Sequence, residues 1–305
     1  MTRLLPRLAV TLGDPRGIGP EVVAKALAVG LDAGITLIGA DEQVADIPAQ
    51  RKIGVGAWAR GAGSGEQGAG RLAGVAVEQA VALARAGEVD AIVTGPVNKH
   101  ALHVAGFRYP GLTELVAHLA GGEQDAAMML ATGRLRVVLV TTHIALKDVP
   151  AQLTMERVLR CGRVTERALV AWWGIARPRL AVCALNPHAG ESGLFGDEDD
   201  RVLRPAAREL GAAGPLPADT VFVRALKGEF DAVLAPYHDV GMTAVKVAGF
   251  GTGVNVTLGL PFPRVAPDHG TALDIAGKGL ADPGSMRAAL ELAVELARKA
   301  RHTAA

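Results

Sequence analysis

The sequence contains few cysteines and few aromatic residues. Only two cysteines, Cys161 and Cys183, occur among its 305 residues, and aromatic side chains make up 4%. Two isolated cysteines form no Cys-x-x-Cys motif, which excludes a disulfide framework and favours free thiols in a reducing compartment. The first seven residues contain no long apolar segment ahead of a small-residue cleavage site. We therefore expect a cytoplasmic protein.

The sequence also lacks an excess of charge of either sign. It has 32 Lys and Arg residues against 31 Asp and Glu residues, a formal net charge of +1. This balance excludes the basic surface that attracts nucleic acid. No uncharged stretch reaches the roughly 18 residues that a membrane span requires. The composition thus predicts a protein that binds neither nucleic acid nor membranes and leaves small polar substrates open.

Apolar residues and glycines are abundant instead. Apolar residues make up 50% of the chain and 38 residues are glycine, which predicts a sizeable core with many tight turns. Short apolar runs alternate with helical patterns, and this alternation favours an α/β fold with a largely parallel sheet. The predicted strands are Leu8–Leu12, Ile35–Ile38, Ala91–Thr94, Arg136–Thr141, Leu180–Leu185 and Ala232–Ala235, and the predicted helices are Pro20–Ala28, Leu72–Ala86, Gln152–Trp173, Arg201–Leu210 and Pro283–Arg301.

Glycine-rich motifs that would identify a nucleotide site are incomplete. Gly17-Ile18-Gly19 is not completed as a Rossmann fingerprint, because Val22 occupies the place of the third glycine. The segment Arg60–Gly70 lacks the Gly-Lys-Ser/Thr ending of a phosphate-binding loop, so we interpret it as a surface loop. We find no Gly-x-Ser-x-Gly elbow of a serine hydrolase and no internal repeat.

Three histidines stand in the same local context. His143, His188 and His238 each follow a predicted strand closely. Ligands bind beyond the carboxyl ends of parallel strands, and three imidazoles there suit a catalytic divalent metal with open positions for substrate oxygens. Separations of 45 and 50 residues exclude a zinc finger. Only the shared context supports a metal site, so three unrelated histidines at the starts of loops remain an alternative.

Two carboxylates and three further polar side chains accompany the histidines. Asp239 directly follows the third histidine, and such a carboxylate commonly orients a metal-binding imidazole. Asp219 is a second candidate for this role, although either aspartate could equally cap a helix or turn. Lys246, Asn255 and Arg264 form a set that could clamp an anionic substrate. Surface Lys and Arg residues are common, so this last signal is weak by itself.

Short blocks that occur in one fixed order are spread along nearly the whole chain, from residue 13 to residue 272. The blocks are Gly13-Asp14-Pro15-Arg16-Gly17-Ile18-Gly19-Pro20-Glu21, Thr94-Gly95-Pro96-Val97-Asn98-Lys99, Met128-Met129-Leu130-Ala131-Thr132, Thr141-Thr142-His143, Leu185-Asn186-Pro187-His188-Ala189-Gly190-Glu191, Leu216-Pro217-Ala218-Asp219-Thr220, Tyr237-His238-Asp239, Gly253-Val254-Asn255-Val256-Thr257-Leu258-Gly259-Leu260-Pro261 and Asp268-His269-Gly270-Thr271-Ala272. In these blocks the chain resembles the 4-hydroxythreonine-4-phosphate dehydrogenase family of vitamin B6 biosynthesis.

The resemblance implies a role for each matching position. It implies NAD or NADP as the cofactor and a divalent metal, Zn, Mg or Co, but it leaves the residues that bind the nucleotide unidentified. Metal-bound water or Lys246 are the candidates for the general base. The implied metal ligands are His143, His188 and His238, the implied catalytic residues are Asp219, Asp239 and Lys246, and the implied substrate contacts are Leu112, Thr113, Lys246, Asn255 and Arg264.

The resemblance also implies an architecture. The family is similar in fold to isocitrate and isopropylmalate dehydrogenases, with two α/β domains and a cleft between them. We place the first domain at residues 1–115 plus 256–305 and the second at residues 116–255, where the metal site and the dimer contacts are expected. The family forms homodimers whose active sites draw residues from both subunits.

One position departs from the family pattern. The family has Gly-His-Thr-Glu where this chain has Gly111-Leu112-Thr113-Glu114, so a substrate-contacting imidazole is replaced by leucine. The implied reaction is metal-dependent, NAD(P)-linked oxidation of the hydroxyl of 4-hydroxythreonine 4-phosphate, whose product then loses carbon dioxide, or of a related small anionic hydroxy acid. One alternative is a paralogue that oxidises a phosphorylated sugar acid or an aromatic cis-diol. Other classes are an acyl- or phosphotransferase on the same fold and a metal-holding protein without redox activity.

Overall fold

The chain divides into two compact units. The computed structural model describes residues 5–58, 65–122 and 126–303, without the side chains of residues 301–303. Unit 1 comprises Met1–Gln124 and Leu260–Ala305, and unit 2 comprises Asp125–Gly259. The sequence had placed the two boundaries at 115/116 and 255/256. In the described ranges no helix combines the length and the apolar character needed to cross a membrane.

Helices and strands alternate along most of the chain. The described strands are β1 Arg7–Thr11, β2 Gly34–Gly39, β3 Arg51–Gly54, β4 Ala91–Thr94, β5 Ala127–Thr132, β6 Leu135–Leu139, β7 Leu180–Cys183, β8 Ala213–Leu216, β9 Ala232–Ala235, β10 Val254–Leu258 and β11 Arg264–Pro267. The described α-helices are α1 Gly19–Ala28, α2 Asp41–Asp46, α3 Glu66–Arg85, α4 Lys99–Val104, α5 Leu112–Ala120, α6 Val149–Gln152, α7 Met155–Trp173, α8 Arg204–Leu210, α9 Ala218–Leu226, α10 His238–Ala248 and α11 Gly284–Thr303. The predicted α/β fold class is confirmed.

Unit 1 is built on a parallel sheet with the strand order β3-β2-β1-β4-β11. Every residue of β4 and of β11 is buried, which explains why they are apolar apart from Thr94 and Arg264. The chain runs outward from β1 to β3 and returns through α3 to β4 on the other side of β1. The carboxyl ends of β1 and β4 therefore flank a topological switch point, where ligands bind in open α/β sheets.

Unit 2 contains a mixed sheet with the strand order β10-β5-β6-β9-β7-β8. The β10–β5 and β5–β6 pairs are antiparallel, whereas β6, β9, β7 and β8 are parallel to one another. Its core combines side chains of β6, β7 and β9 with those of α9, and includes Leu135, Val137, Val221, Phe222 and Val233. The parallel part of the sheet carries all three predicted metal-binding histidines beyond its carboxyl edge.

An internal repeat links the two units, contrary to the sequence-based conclusion. Pro-Arg-Leu-Ala-Val occurs at residues 6–10 and 178–182, and Gly-Glu-x-Asp-Ala occurs at 87–91 and 228–232. Arg7 Nη2 contacts Asp90 Oδ1 at 3.0 Å, and Arg179 Nη2 contacts Asp231 Oδ1 at 3.0 Å. In both pairs the arginine backbone N–H also donates to the aspartate and Nη2 donates to the glycine carbonyl. The repeat thus makes β1 and β4 the counterparts of β7 and β9.

The segment interpreted as a surface loop is partly helical. Residues 59–64 lie outside the described residues, but Glu66–Gly70 form the first turns of α3. A Cβ added to Gly70 would stand 1.9 Å from the carbonyl oxygen of Ala101 in α4. A Cβ added to Gly74 would stand 2.1 Å from the ring of Phe107. At these two positions glycine permits close helix packing rather than mobility.

Candidate active site

The three predicted metal ligands follow three neighbouring parallel strands of unit 2. His143 follows β6, His238 follows β9 and His188 follows β7, and β9 lies between the other two strands. Their placement beyond one carboxyl edge is the arrangement that the shared sequence context indicates. His143 and His188 are exposed and His238 is half-buried, so the imidazoles are accessible to solutes.

His143 and His238 lie side by side. Their ring centroids are 5.6 Å apart. The loops that carry them are fastened together, because Val140 N donates to Ala235 O at 2.9 Å and the buried Thr141 hydroxyl donates to Pro236 O at 2.7 Å. The local backbone therefore fixes the spacing of two of the three histidines.

Asp239 contacts the neighbouring imidazole directly. His238 Nδ1 and Asp239 Oδ1 are 2.6 Å apart. When Nδ1 donates this hydrogen bond, the lone pair for a metal is on Nε2, so the contact fixes the tautomer that a ligand needs. Asp239 also lies in the first turn of α10, where a negative charge is favoured by the helix dipole.

His188 lies on a strained backbone segment. Five consecutive residues, from His188 to Ser192, have φ between +44° and +83°, and only Gly190 among them is glycine. An L-residue in this left-handed region costs roughly 1–2 kcal/mol. Such strain persists only where surrounding contacts determine the conformation, and it concentrates at functional sites. No local sequence pattern indicates this turn.

The histidines have the donor chemistry of a divalent-metal site. Imidazole nitrogens bind Zn²⁺, Co²⁺ and similar ions, and three such ligands leave positions open for a substrate. Within the described part of the chain, no group of three His, Cys, Asp or Glu side chains is placed to hold an ion by itself. The closely spaced pair His143 and His238 fits a partial ligand set. That all three bind one ion stays a prediction.

The structure places Asp219 in the first turn of α9 as an exposed side chain. The helix begins after Pro217 without a side-chain cap, so Asp219 does not cap it.

Two further predicted site residues lie in unit 2. Lys246 is half-buried in the last turn of α10. Asn255 faces Leu130 across the β10–β5 pair, and its Oδ1 is buried with no hydrogen-bond partner in the described residues. An unpaired buried amide oxygen is costly and is available to a ligand donor.

Unit 1 contains a second cluster of predicted site residues around a buried cation. Arg264 is 3% exposed, and its Nη2 donates to the Thr94 hydroxyl at 2.6 Å. Burial lowers the pKa of Arg264 to about 10, and the nearby Glu114 carboxylate opposes this shift. Leu112 and Thr113 form the first turn of α5, which has no side-chain cap. A buried guanidinium near an uncapped helix N-terminus is suited to an anion.

Residues after β11 are a candidate region for the dinucleotide. Ile18 N, before α1, donates to Thr271 O at 2.9 Å. His269 Nε2 is buried with no hydrogen-bond partner among the described residues, whereas its Nδ1 is 3.1 Å from Gly270 O. This loop and the N-terminus of α1 lie at the carboxyl end of the unit 1 sheet, where a nucleotide binds in related topologies. Neither His269 nor Thr94 was predicted as a site residue.

Neither cysteine is suited to act as a nucleophile. Cys183 lies in β7 with no exposed surface, and burial, with a further contribution from the charge of Asp199, raises its pKa to about 12. Burial also raises the pKa of Cys161. The thiolate is the reactive form, so a pKa shift from 9.0 to about 12 lowers the thiolate fraction of Cys183 about a thousandfold near pH 8.

The burial of both thiols predicts that neither is reactive in the folded protein. We expect no reaction with a thiol-directed chromogenic reagent at pH 8 under native conditions and reaction of both cysteines in guanidinium chloride. Rapid native labelling would contradict this expectation.

Similarity to known proteins extends over almost the full length of the chain. The family model described as pyridoxal phosphate biosynthetic protein PdxA matches residues 15–293. A 4-hydroxythreonine-4-phosphate dehydrogenase of Geobacter metallireducens is 45% identical, with 98% of this chain and 97% of that protein covered. A D-threonate 4-phosphate dehydrogenase of Cupriavidus necator is 42% identical, with 98% and 99% covered.

Solved structures are similar as well. The crystal structure of 4-hydroxythreonine-4-phosphate dehydrogenase from Klebsiella pneumoniae has a TM-score of 0.82 at 40% identity, with 96% of this chain and 99% of that chain covered. A terephthalate 1,2-cis-dihydrodiol dehydrogenase from Burkholderia xenovorans has a TM-score of 0.69 at 31% identity, with 96% and 98% covered. A branched-chain phosphotransacylase from Enterococcus faecalis has a TM-score of 0.58 at 15% identity, with 95% and 99% covered, which shows likeness of fold alone.

These similarities confirm the family resemblance and the predicted enzyme class, an oxidoreductase that acts on a CH–OH group. The relatives named as dehydrogenases match this chain from end to end, and the family model alone spans well over half of it. The chain belongs to the PdxA family.

Proposed function

We propose that the protein is a metal-dependent, NAD(P)-linked dehydrogenase of 4-hydroxythreonine 4-phosphate or of a close relative such as D-threonate 4-phosphate. The observation that carries this proposal is the placement of His143, His188 and His238 beyond three adjacent parallel strands, with two rings 5.6 Å apart. The relatives that bear the two substrate names are similar to this chain at 45% and 42% identity.

The side chains of unit 2 account for the oxidation step. A divalent ion held by the three imidazoles would supply Lewis-acid chemistry toward the substrate hydroxyl, and a nicotinamide would supply the hydride acceptor. Asp239 would accept the proton of His238 Nδ1, which leaves the lone pair of Nε2 for the ion. Lys246 is the candidate to exchange the hydroxyl proton at Nζ, and the amide of Asn255 orients a polar group of the substrate. Asp219 is proposed as a further orienting carboxylate.

The side chains of unit 1 account for recognition of the anion. Arg264 is buried beside Thr94, so a phosphate there would gain a charge-assisted hydrogen bond in a site with little water. The uncapped first turn of α5 adds backbone N–H groups at Leu112 and Thr113. We also propose a homodimer in which both subunits contribute to each active site, as the family resemblance implies.

Absorbance of reduced nicotinamide tests the proposal directly. The protein would be stripped with a chelator and assayed with NAD or NADP, with Zn²⁺, Co²⁺ or Mg²⁺, and with four substrate types: 4-hydroxythreonine 4-phosphate, D-threonate 4-phosphate, a phosphorylated sugar acid and an aromatic cis-diol. We expect metal-dependent turnover of one of the two threonine-derived phosphates. Turnover of the cis-diol alone would show that the protein is a paralogue with a different substrate. No nicotinamide reduction with any of them would overturn the dehydrogenase proposal and favour group transfer.

Leu112 is expected to lower the affinity for 4-hydroxythreonine 4-phosphate. It is the first residue of α5, and its apolar side chain cannot donate the hydrogen bond of the family's imidazole. Hydrogen bonds to charged groups contribute roughly 1.5–3 kcal/mol, or about ten- to a hundredfold in affinity. Leu112→His should therefore raise kcat/KM for 4-hydroxythreonine 4-phosphate by about that factor. Leu119→His, in the last turn of the same helix, is the control. An unchanged kcat/KM in Leu112→His would show that Leu112 does not set the substrate preference.

A further inference from the structure

The turn that carries His188 contacts a buried carboxylate, Asp199, which was not predicted as a site residue. Asp199 has no exposed surface. Its Oδ1 accepts the backbone N–H of Leu185 at 2.9 Å, and its Oδ2 accepts that of Asn186 at 3.0 Å. Both oxygens are thus used by two consecutive amides, immediately before Pro187 and His188. Asp199 is one of four consecutive acidic residues, 197–200, and the other three are exposed or half-buried, so the sequence does not distinguish it.

Further contacts fasten the same segment to the same stretch of chain. Asn186 Nδ2 donates to Glu198 Oε2 at 2.8 Å, and Phe195 N donates to Gly190 O at 3.2 Å. A Cβ added to Gly190 would stand 3.0 Å from Gly196 O and 3.8 Å from Asp199 Oδ2. The inner side of the left-handed turn is therefore closely packed against the backbone around Asp199.

These contacts explain how a left-handed run of L-residues is maintained. Without them the residues from His188 to Ser192 would relax toward the right-handed region, which sterics favour. Such a change would turn the His188 side chain in another direction, since side-chain direction follows the backbone dihedrals. His238 differs, because a carboxylate contacts its ring directly. The His188 ring has the ring of Phe195 as a neighbour, with 6.4 Å between the centroids, and its direction follows from the backbone of the turn.

We propose that Asp199 is a positioning residue, whose carboxylate holds the left-handed turn and thereby aims His188 at the metal. This inference rests on the proposed function in that His188 is taken to be a metal ligand. Asp199 has no exposed surface and both of its oxygens accept backbone N–H groups, so its role is to orient a ligand rather than to bind the ion. Groups that orient ligands typically contribute 10- to 100-fold, roughly, to metal affinity.

Asp199→Asn tests the proposal with a change of almost no volume. The amide keeps one acceptor oxygen, but its NH₂ group would face a backbone N–H, so one hydrogen bond is lost and two donors oppose each other. We expect the affinity of the full-length, metal-free protein for Co²⁺ to fall about 10- to 100-fold, measured by calorimetry and by the visible spectrum of the bound ion. Circular dichroism at the titration temperature would confirm that the variant is folded.

Two controls separate positioning from loss of stability. Asp200→Asn removes an exposed neighbouring carboxylate that pairs with Arg204, and should leave Co²⁺ affinity within twofold of wild type. Leu169→Ala truncates a fully buried side chain of α7 and lowers the unfolding temperature without touching the turn. It should likewise keep wild-type Co²⁺ affinity. If Leu169→Ala loses as much affinity as Asp199→Asn, the effect is one of stability and the proposal is wrong.

The remaining outcomes are also decisive. Gly190→Ala strains the same turn without altering Asp199, so it should also weaken Co²⁺ binding at least tenfold, and it serves if Asp199→Asn does not fold. Wild-type Co²⁺ affinity in folded Asp199→Asn, together with loss of the ion in His188→Ala, would overturn the positioning role. Wild-type affinity in His188→Ala would instead show that His188 is not a ligand, and both this inference and the proposed metal site would fail.

Discussion

Replacement of His143, His188 or His238 by alanine, one at a time, is expected to abolish metal retention and turnover together. A three-ligand site has no spare ligand, so each loss removes a bond that neither neighbour can replace. The effect should exceed the roughly 10- to 100-fold losses typical of groups that only orient a ligand. The ring centroids of His143 and His238 are 5.6 Å apart, so removing either ring leaves the other without its neighbouring imidazole.

Elemental analysis of the purified variants measures the first part, and nicotinamide reduction measures the second. His103→Ala, an exposed histidine in α4 of unit 1, is the control and should keep both metal and activity. Full metal occupancy in all three single variants would refute the site.

Mixing inactive variants tests whether the site is shared between subunits. If one subunit supplies the neighbouring pair His143 and His238 and the other supplies His188, a mixed dimer of His238→Ala and His188→Ala subunits contains one intact site. Random mixing would then restore about a quarter of wild-type activity, because half of the dimers are mixed and each has one working site of two. No recovery after denaturation and joint refolding would place both ligands on the same subunit.

Much of the fold could be predicted because buried parallel strands have a simple signature. Ala91–Thr94 and Ala232–Ala235 were predicted with the bounds that β4 and β9 have in the structure, since each is a short, fully buried and mostly apolar run. α5 and α10 were not predicted, because each begins at a motif that was interpreted only for its chemistry. Of the antiparallel pair, β6 was predicted as a strand and β5 was not, because the residues of β5 were interpreted only as a family motif.

The candidate site was less accessible to sequence reasoning than the fold. The common context of the three histidines follows from strand order, so a local pattern was enough to group them. The left-handed turn at His188 depends on hydrogen bonds to Asp199, which no local propensity of residues 188–192 predicts. Arg264 was weak evidence in the sequence, because only its burial distinguishes it from a surface arginine. Burial of a charge is a tertiary property.

Arg264→Met is expected to raise KM for a phosphorylated substrate and to lower kcat/KM by about a hundredfold. Charge-assisted hydrogen bonds are about twice as strong as neutral ones, and a phosphate in a buried site has few alternative partners. Methionine keeps much of the aliphatic stem and removes the guanidinium that donates to Thr94. Arg51→Met, an exposed arginine of the same unit that pairs with Glu88, is the matched control.

Thermal unfolding with added phosphate separates binding of the anion from catalysis. Burial lowers the pKa of Arg264 to about 10, below the 12.5 of an exposed arginine, so the charged form is disfavoured in the folded protein. That cost is fully present below pH 10 and decreases as the pH rises through the folded pKa. The variant should therefore be at least as stable as wild type at pH 7.5 without ligand. An anion bound to the guanidinium offsets the same cost, so inorganic phosphate should raise the unfolding temperature of wild type and of Arg51→Met but not of Arg264→Met. An equal rise in all three proteins, or an unchanged KM in Arg264→Met, would assign the buried cation a structural role and place phosphate recognition elsewhere.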